Sequence, residues 1–205
     1  NVFGKAAGLQ GNRGDVLLPT TIVFSKSVLG VDNVDECREA GNRDIDEQRL
    51  RQLLGAPPSS ASDGSVPPHL TYPPHHPQHK NVPLRRQLHK GPVVTIPGAL
   101  LQTTRFLNYY NRIHGCVGVD MEAAYYARQV EESTALGLFG ETKVKTRFAY
   151  YTGELPLSGN PALITKSMEP HEGIPAMYAV ARVILEAILR DSGAGGGSSP
   201  VAVRL

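Results

Sequence analysis

The residue types best suited to chemistry are the carboxylates that directly follow apolar, strand-like segments. Residues 115–119 form such a segment, and Asp120, Met121 and Glu122 follow it and open a helical pattern. Ligands of α/β sheets bind at strand ends, where a carboxylate can accept hydrogen bonds from two adjacent hydroxyls, as on a ribose. The same residues suit a helix start, with Asp120 as the N-cap and Glu122 in the first turn. The pattern alone leaves both interpretations open.

Glu154 and Lys5 are two further charged residues with a possible binding role. Glu154 follows a predicted strand at residues 145–152 and is either a site carboxylate or a surface carboxylate at a turn. Lys5 lies between Gly4 and Gly8 in a segment that we predict to be a loop, where backbone N–H groups and an ammonium can bind phosphate. A solvated lysine is the alternative.

Leu100 and Leu101 follow a β-branched strand at residues 93–96. They either line an apolar pocket for a base or belong to the hydrophobic core. Both leucines are candidate substrate-binding residues.

The elements that must position these residues alternate between strands and helices. We predict strands within residues 1–34, one helix over about 34–54 that stops at Gly55, and a helix at about 101–111. A further helix follows Glu122, and a closing helix has Pro175 in its first turn and Met177 in its buried stripe. This order predicts an α/β fold with a mixed sheet flanked by helices.

The chain divides into one domain over residues 1–191 and a flexible, glycine-rich tail over 192–205. Within the domain, residues 55–83 are rich in Pro, His and Ser and are predicted to form a disordered insertion. Its histidines lack the spacing and the Cys, Asp or Glu partners of a metal site, so no metal is predicted.

Composition excludes several functional classes for this chain of 205 residues. The formal net charge is +2 without runs of like charge, so we expect no nucleic acid partner. No apolar run approaches the ~20 residues of a membrane span, so we expect no membrane partner. The two cysteines, Cys37 and Cys116, have no metal-site or disulfide spacing, which favours a reducing, cytoplasmic location.

Four sequence blocks resemble the nucleoside phosphorylase and nucleosidase superfamily, in the order of that family. Residues 118–124, Gly-Val-Asp-Met-Glu-Ala-Ala, resemble its Met-Glu signature. Residues 4–9 with 14–19 are similar to its glycine-rich loop and Gly-Asp strand, and residues 94–101 to the strand and turn that line the base pocket. Residues 147–156 resemble the strand that ends in Ser-Asp. The lysine at position 5 is most similar to that of AMP nucleosidase.

The resemblance implies cleavage of the N-glycosidic bond of a purine nucleoside or nucleotide, by a phosphorylase or a nucleosidase. Glu122 would bind the ribose hydroxyls, Met121 would pack on the sugar, and Glu154 would be the acid toward the purine, which requires burial to keep it protonated. Gly153-Glu154 departs from the Ser-Asp of the family. No cofactor is implied, although inorganic phosphate is a possible co-substrate, and we expect a homo-oligomer.

The resemblance also implies that an N-terminal part is missing, because the first strands and the phosphate-binding loop of the family should precede Gly4-Lys5. The alternative function is therefore that of a catalytically inactive or truncated relative that acts as a binding or assembly subunit. A third interpretation makes the Pro/His-rich segment a recognition module for aromatic-lined grooves.

Overall fold

The computed structural model describes residues 1–25, 36–55, 86–98, 103–141, 144–160, 164 and 167–194. Strands and helices follow one another within these residues in this order: β1 (Val2–Gly8), β2 (Val16–Phe24), β3 (Glu36–Glu39), a 3-10 helix (Asn42–Asp44), α1 (Glu47–Gly55), β4 (Leu88–Thr95), α2 (Thr104–Arg112), β5 (Gly118–Asp120), α3 (Ala123–Ala135), β6 (Phe148–Glu154) and α4 (Pro170–Ala194). Residues 56–83 of the predicted insertion and residues 195–205 of the predicted tail lie outside the described residues.

The strands form one mixed sheet, which confirms the predicted fold class. Strands β1, β6, β2, β4 and β5 pair in a closed ring, and β3 pairs with β2 at its outer edge. Within the ring β1 runs antiparallel to β5 and parallel to β6. As a result, β5 and β6 run in opposite directions on either side of β1.

The alternating direction of the side chains along the strands separates the core into one inner cluster and two outer clusters. Leu17 packs with Val93, Phe148 and Tyr150 in the inner cluster, which the first turn of α3 also contacts. Its neighbour Val16 points the other way and packs against α1 and α4, and a third cluster packs against α2. The period of two along a strand causes this division, because successive side chains point to opposite faces.

The prediction of one helix over residues 34–54 is wrong. Residues Glu36–Glu39 form strand β3, which pairs with the free edge of β2 through positions such as Thr21 and Glu39. Among the described residues, the helical parts of this range are the 3-10 helix Asn42–Asp44 and α1, Glu47–Gly55. Charged residues surround both β3 and α1, so the local sequence does not distinguish a strand from a helix here. The strand forms because the edge of β2 is available for pairing.

Helix α4 also differs from its predicted form. It begins at Pro170, so Pro175 lies inside the helix, and it continues to Ala194, so residues 192–194 are helical rather than part of a tail. Met177 is 41% exposed and does not belong to the core. The buried stripe consists of small and branched residues at helical spacing: Ala176, Ala179, Val180, Val183, Ile184 and Ala187. Apolar residues occur on both faces of α4, and packing against β6 and α1 selects one of them.

In the described part of the chain, no helix is long and apolar enough to span a membrane.

Candidate functional site

The turn between β5 and α3 is organised by the buried carboxylate of Asp120. Its Oδ1 accepts a hydrogen bond from Thr95 Oγ1 at 2.6 Å, and its Oδ2 accepts from Tyr150 Oη at 3.0 Å and from Ala123 N at 2.7 Å. The Thr95 hydroxyl accepts in turn from Ala124 N at 3.0 Å. Asp120 therefore satisfies the first amide of α3 and ties this helix to β4 and β6.

Burial dominates the electrostatics of this network. Desolvation raises the pKa of Asp120, and the hydrogen bonds from Thr95, Ala123 and Tyr150 oppose that rise only in part. Burial also raises the pKa of the Tyr150 phenol, and the neighbouring Asp120 carboxylate raises it further. The same burial that shifts both pKa values makes the hydrogen bond between the two groups part of the packed interior.

Met121 and Glu122 stand outside this network on the exposed surface of the turn. Met121 is 42% exposed, and Glu122 occupies the N-cap position of α3 without a side-chain capping bond. The Glu122 carboxylate accepts from the amide of Met121 at 3.3 Å. The helix-start interpretation thus applies to Asp120, whereas the Glu122 carboxylate faces solvent, where a ligand can reach it.

Lys5 does not lie in a loop, so the predicted loop is wrong, whereas the phosphate role of this segment stays a prediction. Gly4 and Lys5 belong to β1, and they pair with Tyr150 and Tyr151 of the parallel strand β6. Gly8 ends this strand in a tightly packed position, where a Cβ would meet Thr152 Cγ2 at 2.6 Å. These glycines serve strand pairing and close packing, because the ladder of β6 occupies this edge of β1.

The side chain of Lys5 nevertheless brings together two of the predicted site residues. Its ammonium lies 2.7 Å from Oε1 of Glu154, the last residue of β6. The side chains are 51% and 37% exposed, so Glu154 lacks the burial that its predicted role as a protonated acid requires. The Glu154 carboxylate is thus the acceptor of a charge-assisted hydrogen bond from the Lys5 ammonium.

Strand register places the remaining site residues around the same half of β1. Ala7 pairs with Val119 of antiparallel β5 and with Glu154 of parallel β6. Lys5 precedes Ala7 and Met121 follows Val119, so both lie on the same side of this pairing. Register alone thus places Lys5 and the Met121-Glu122 turn toward the same end of the β1–β5 pairing. Leu100 and Leu101 lie outside the described residues.

The sequence reasoning did not identify Arg13, which anchors the end of β6. Its guanidinium is buried and donates from Nε to the carbonyl of Gly153 at 2.9 Å, with Glu172 of α4 at 3.9 Å. In the same connection between β1 and β2, the buried Asp15 carboxylate accepts from His89 Nε2 at 2.8 Å. Gly11 and Gly14 both have a positive φ. The close spacing of these two glycines in the sequence was therefore the available signal for an ordered turn.

Metal binding has no support in the described residues, where no three His, Cys, Asp or Glu side chains converge.

Several solved structures are similar to this chain over most of its length. The 5′-methylthioadenosine nucleosidase of Arabidopsis thaliana is 16% identical, with a TM-score of 0.47, covering 90% of this chain and 60% of that one. A mutant adenosine/methylthioadenosine phosphorylase from Schistosoma mansoni, in complex with adenine, is 14% identical, with a TM-score of 0.46, covering 93% and 63%. A Plasmodium knowlesi homologue of the P. falciparum PNP is 16% identical, with a TM-score of 0.45, covering 92% and 60%.

The chain thus spans about 60 to 63% of the length of these three structures. No curated protein matches it. A family model does match, over residues 1–190, and the chain therefore belongs to DUF6909, a family of unknown function.

Proposed function

We propose that the chain cleaves the N-glycosidic bond of a purine nucleoside or nucleotide, with Glu122 binding the ribose hydroxyls. The observation that carries this proposal is the solvent-facing Glu122 carboxylate on a turn that the buried Asp120 holds in place. Because Asp120 supplies the helix cap, Glu122 is available to accept bonds from two adjacent hydroxyls.

The charge of Glu122 suits the chemistry of this reaction. In an oxocarbenium-like transition state the sugar gains positive charge, and a carboxylate already in position favours that charge without further reorganisation. Met121 precedes Glu122 on the same exposed turn and supplies an apolar, adaptable surface for the sugar ring. The base would then lie toward β1 and β6, where Lys5 and Glu154 meet.

The test is base release by the purified chain from AMP, adenosine, inosine, guanosine, methylthioadenosine and uridine, each with and without inorganic phosphate. We expect release from at least one purine substrate and a loss of about 10²-fold in rate for Glu122→Ala. Dependence on phosphate would identify phosphorolysis, and independence would identify hydrolysis.

Glu141→Ala is the matched control for this experiment. Glu141 is an exposed carboxylate beyond the C-terminal end of α3, whereas the Met121-Glu122 turn precedes the other end of this helix of 13 residues, which is about 20 Å long. Its substitution should leave base release unchanged. No release from any substrate by the folded parent chain would overturn the proposal and favour the alternative, a relative that binds or assembles without catalysis.

A further inference from the structure

The end of β6 carries a charge arrangement that the resemblance does not predict. Where the related motif has an aspartate after a serine, this chain has Glu154 after Gly153, and the carboxylate binds the ammonium of Lys5 at 2.7 Å. In this pair the carboxylate is the acceptor and the ammonium is the donor. The group with protons at this point of the surface is the ammonium.

We infer that Lys5 donates to the departing purine and that Glu154 is the positioning residue that holds the Lys5 ammonium. The inference rests on the proposed function and names the donor within its site. It gives the donor role that the sequence predicted for Glu154 to Lys5, which the sequence predicted to bind phosphate.

The packing of Lys5 supports this assignment. The aliphatic part of its side chain lies over Gly153, where a Cβ would clash with Cγ and Cδ of Lys5. Arg13 holds the carbonyl of the same glycine at 2.9 Å, so the surface beneath the lysine is anchored. Gly153 thus leaves the space through which the lysine reaches Glu154, and a serine at this position would displace it. Lys5 therefore contacts both residues that depart from the related motif: it packs over Gly153 and binds Glu154.

The ammonium also has the charge that the reaction needs. The bond between C1′ and N9 breaks with both electrons on the base, and the oxygen of water or phosphate bonds to C1′. A cation beside the base stabilises its negative charge, and Lys5 transfers one proton to a ring nitrogen and regains one from solvent. When water is the nucleophile, its proton passes to solvent, so the step balances without a further reactant.

The experiment compares kcat/KM for four variants on the best purine nucleoside of the panel. We expect Lys5→Met to lose about 10² to 10³-fold and Glu154→Ala about tenfold or more. Glu154→Gln keeps an oxygen that accepts from the ammonium and should restore most of the rate lost in Glu154→Ala. Gly153→Ala should lower the rate because the new methyl group displaces the lysine.

A second substrate separates a donor from a merely structural residue. The base of 7-methylguanosine leaves uncharged and has no free N7, so a donor contributes little to its departure. We expect Lys5→Met to lose less than about tenfold on this substrate. An equal loss on both substrates, or a greater loss for Glu154→Gln than for Lys5→Met, would overturn the inference.

Lys90→Met is the control for removal of a lysine from a surface pair. Lys90 pairs with Glu47, and the side chains are 49% and 34% exposed, close to the values for Lys5 and Glu154. The kcat/KM of Lys90→Met should equal that of the parent. If the parent releases no base at all, the proposed function fails together with this inference. If the parent is active and Lys5→Met is equally active, only the inference fails.

Discussion

Replacement of Asp120 by alanine should cost far more stability than the loss of an ordinary helix cap. The substitution leaves three donors at a buried position without their acceptor: the hydroxyls of Thr95 and Tyr150 and the amide of Ala123. Each unsatisfied buried donor costs about 1–3 kcal/mol. The variant also no longer buries a carboxylate, which offsets part of this cost, so we expect a net loss of about 3–5 kcal/mol in the free energy of unfolding.

Urea unfolding followed by far-ultraviolet circular dichroism measures this loss, since the chain contains no tryptophan for fluorescence. Asp46→Ala is the matched control, because Asp46 accepts from the amide of Arg49 at 2.8 Å at the start of α1 but is exposed. Loss of that cap should cost about 1 kcal/mol. An Asp120→Ala variant no less stable than Asp46→Ala would refute the assignment of Asp120 as the centre of a buried network.

The pH dependence of the same site has a definite sign. Because burial raises the pKa of Asp120, the folded protein binds this proton more readily than the unfolded chain does. The resulting stability is fully present below the unfolded carboxyl pKa of about 4 and is lost as pH rises through the raised pKa. Relative to Asp120→Asn, the parent should therefore gain stability as the pH falls from about 7 toward 4. A difference that stays constant with pH would contradict this.

Three further substitutions, two of them with a matched control, test other parts of the fold by the same unfolding measurement. Arg147→Met should lower the free energy of unfolding by about 2–4 kcal/mol, because the buried guanidinium binds the carboxylates of Asp44 and Asp191. Its control, Lys145→Met, removes an exposed ion pair and should lower it by less than about 1 kcal/mol. Equal losses would count against a stabilising role of the buried Arg147 ion pairs. Gly14→Ala should cost about 1–3 kcal/mol because of its φ of +82°, and an unchanged midpoint would exclude that strain. Ile184→Ala should cost about 2–5 kcal/mol and Leu189→Ala less than about 0.5 kcal/mol, since they are 4% and 69% exposed; the opposite ranking would mean that α4 buries its other face.

Features that depend on neighbouring residues were predictable from the sequence. Strand β5, the turn with Met121 and Glu122 and the start of α3 follow from an apolar run, a capping carboxylate and helical periodicity. Each of these signals acts over a few residues, so the local pattern was sufficient to place the Met-Glu turn at a strand end.

The sequence by itself determined an α/β fold and a Met-Glu turn between a strand and a helix, because both follow from short-range periodicity and capping. Only the tertiary structure decided that Lys5 lies in a strand and that its ammonium binds Glu154, 149 residues away in the sequence. It also decided which stripe of α4 is buried and that residues 36–39 add a strand to the sheet. The physical reason is that strand pairing and ion pairing join residues by their positions in space, which the closed ring of β1, β6, β2, β4 and β5 sets.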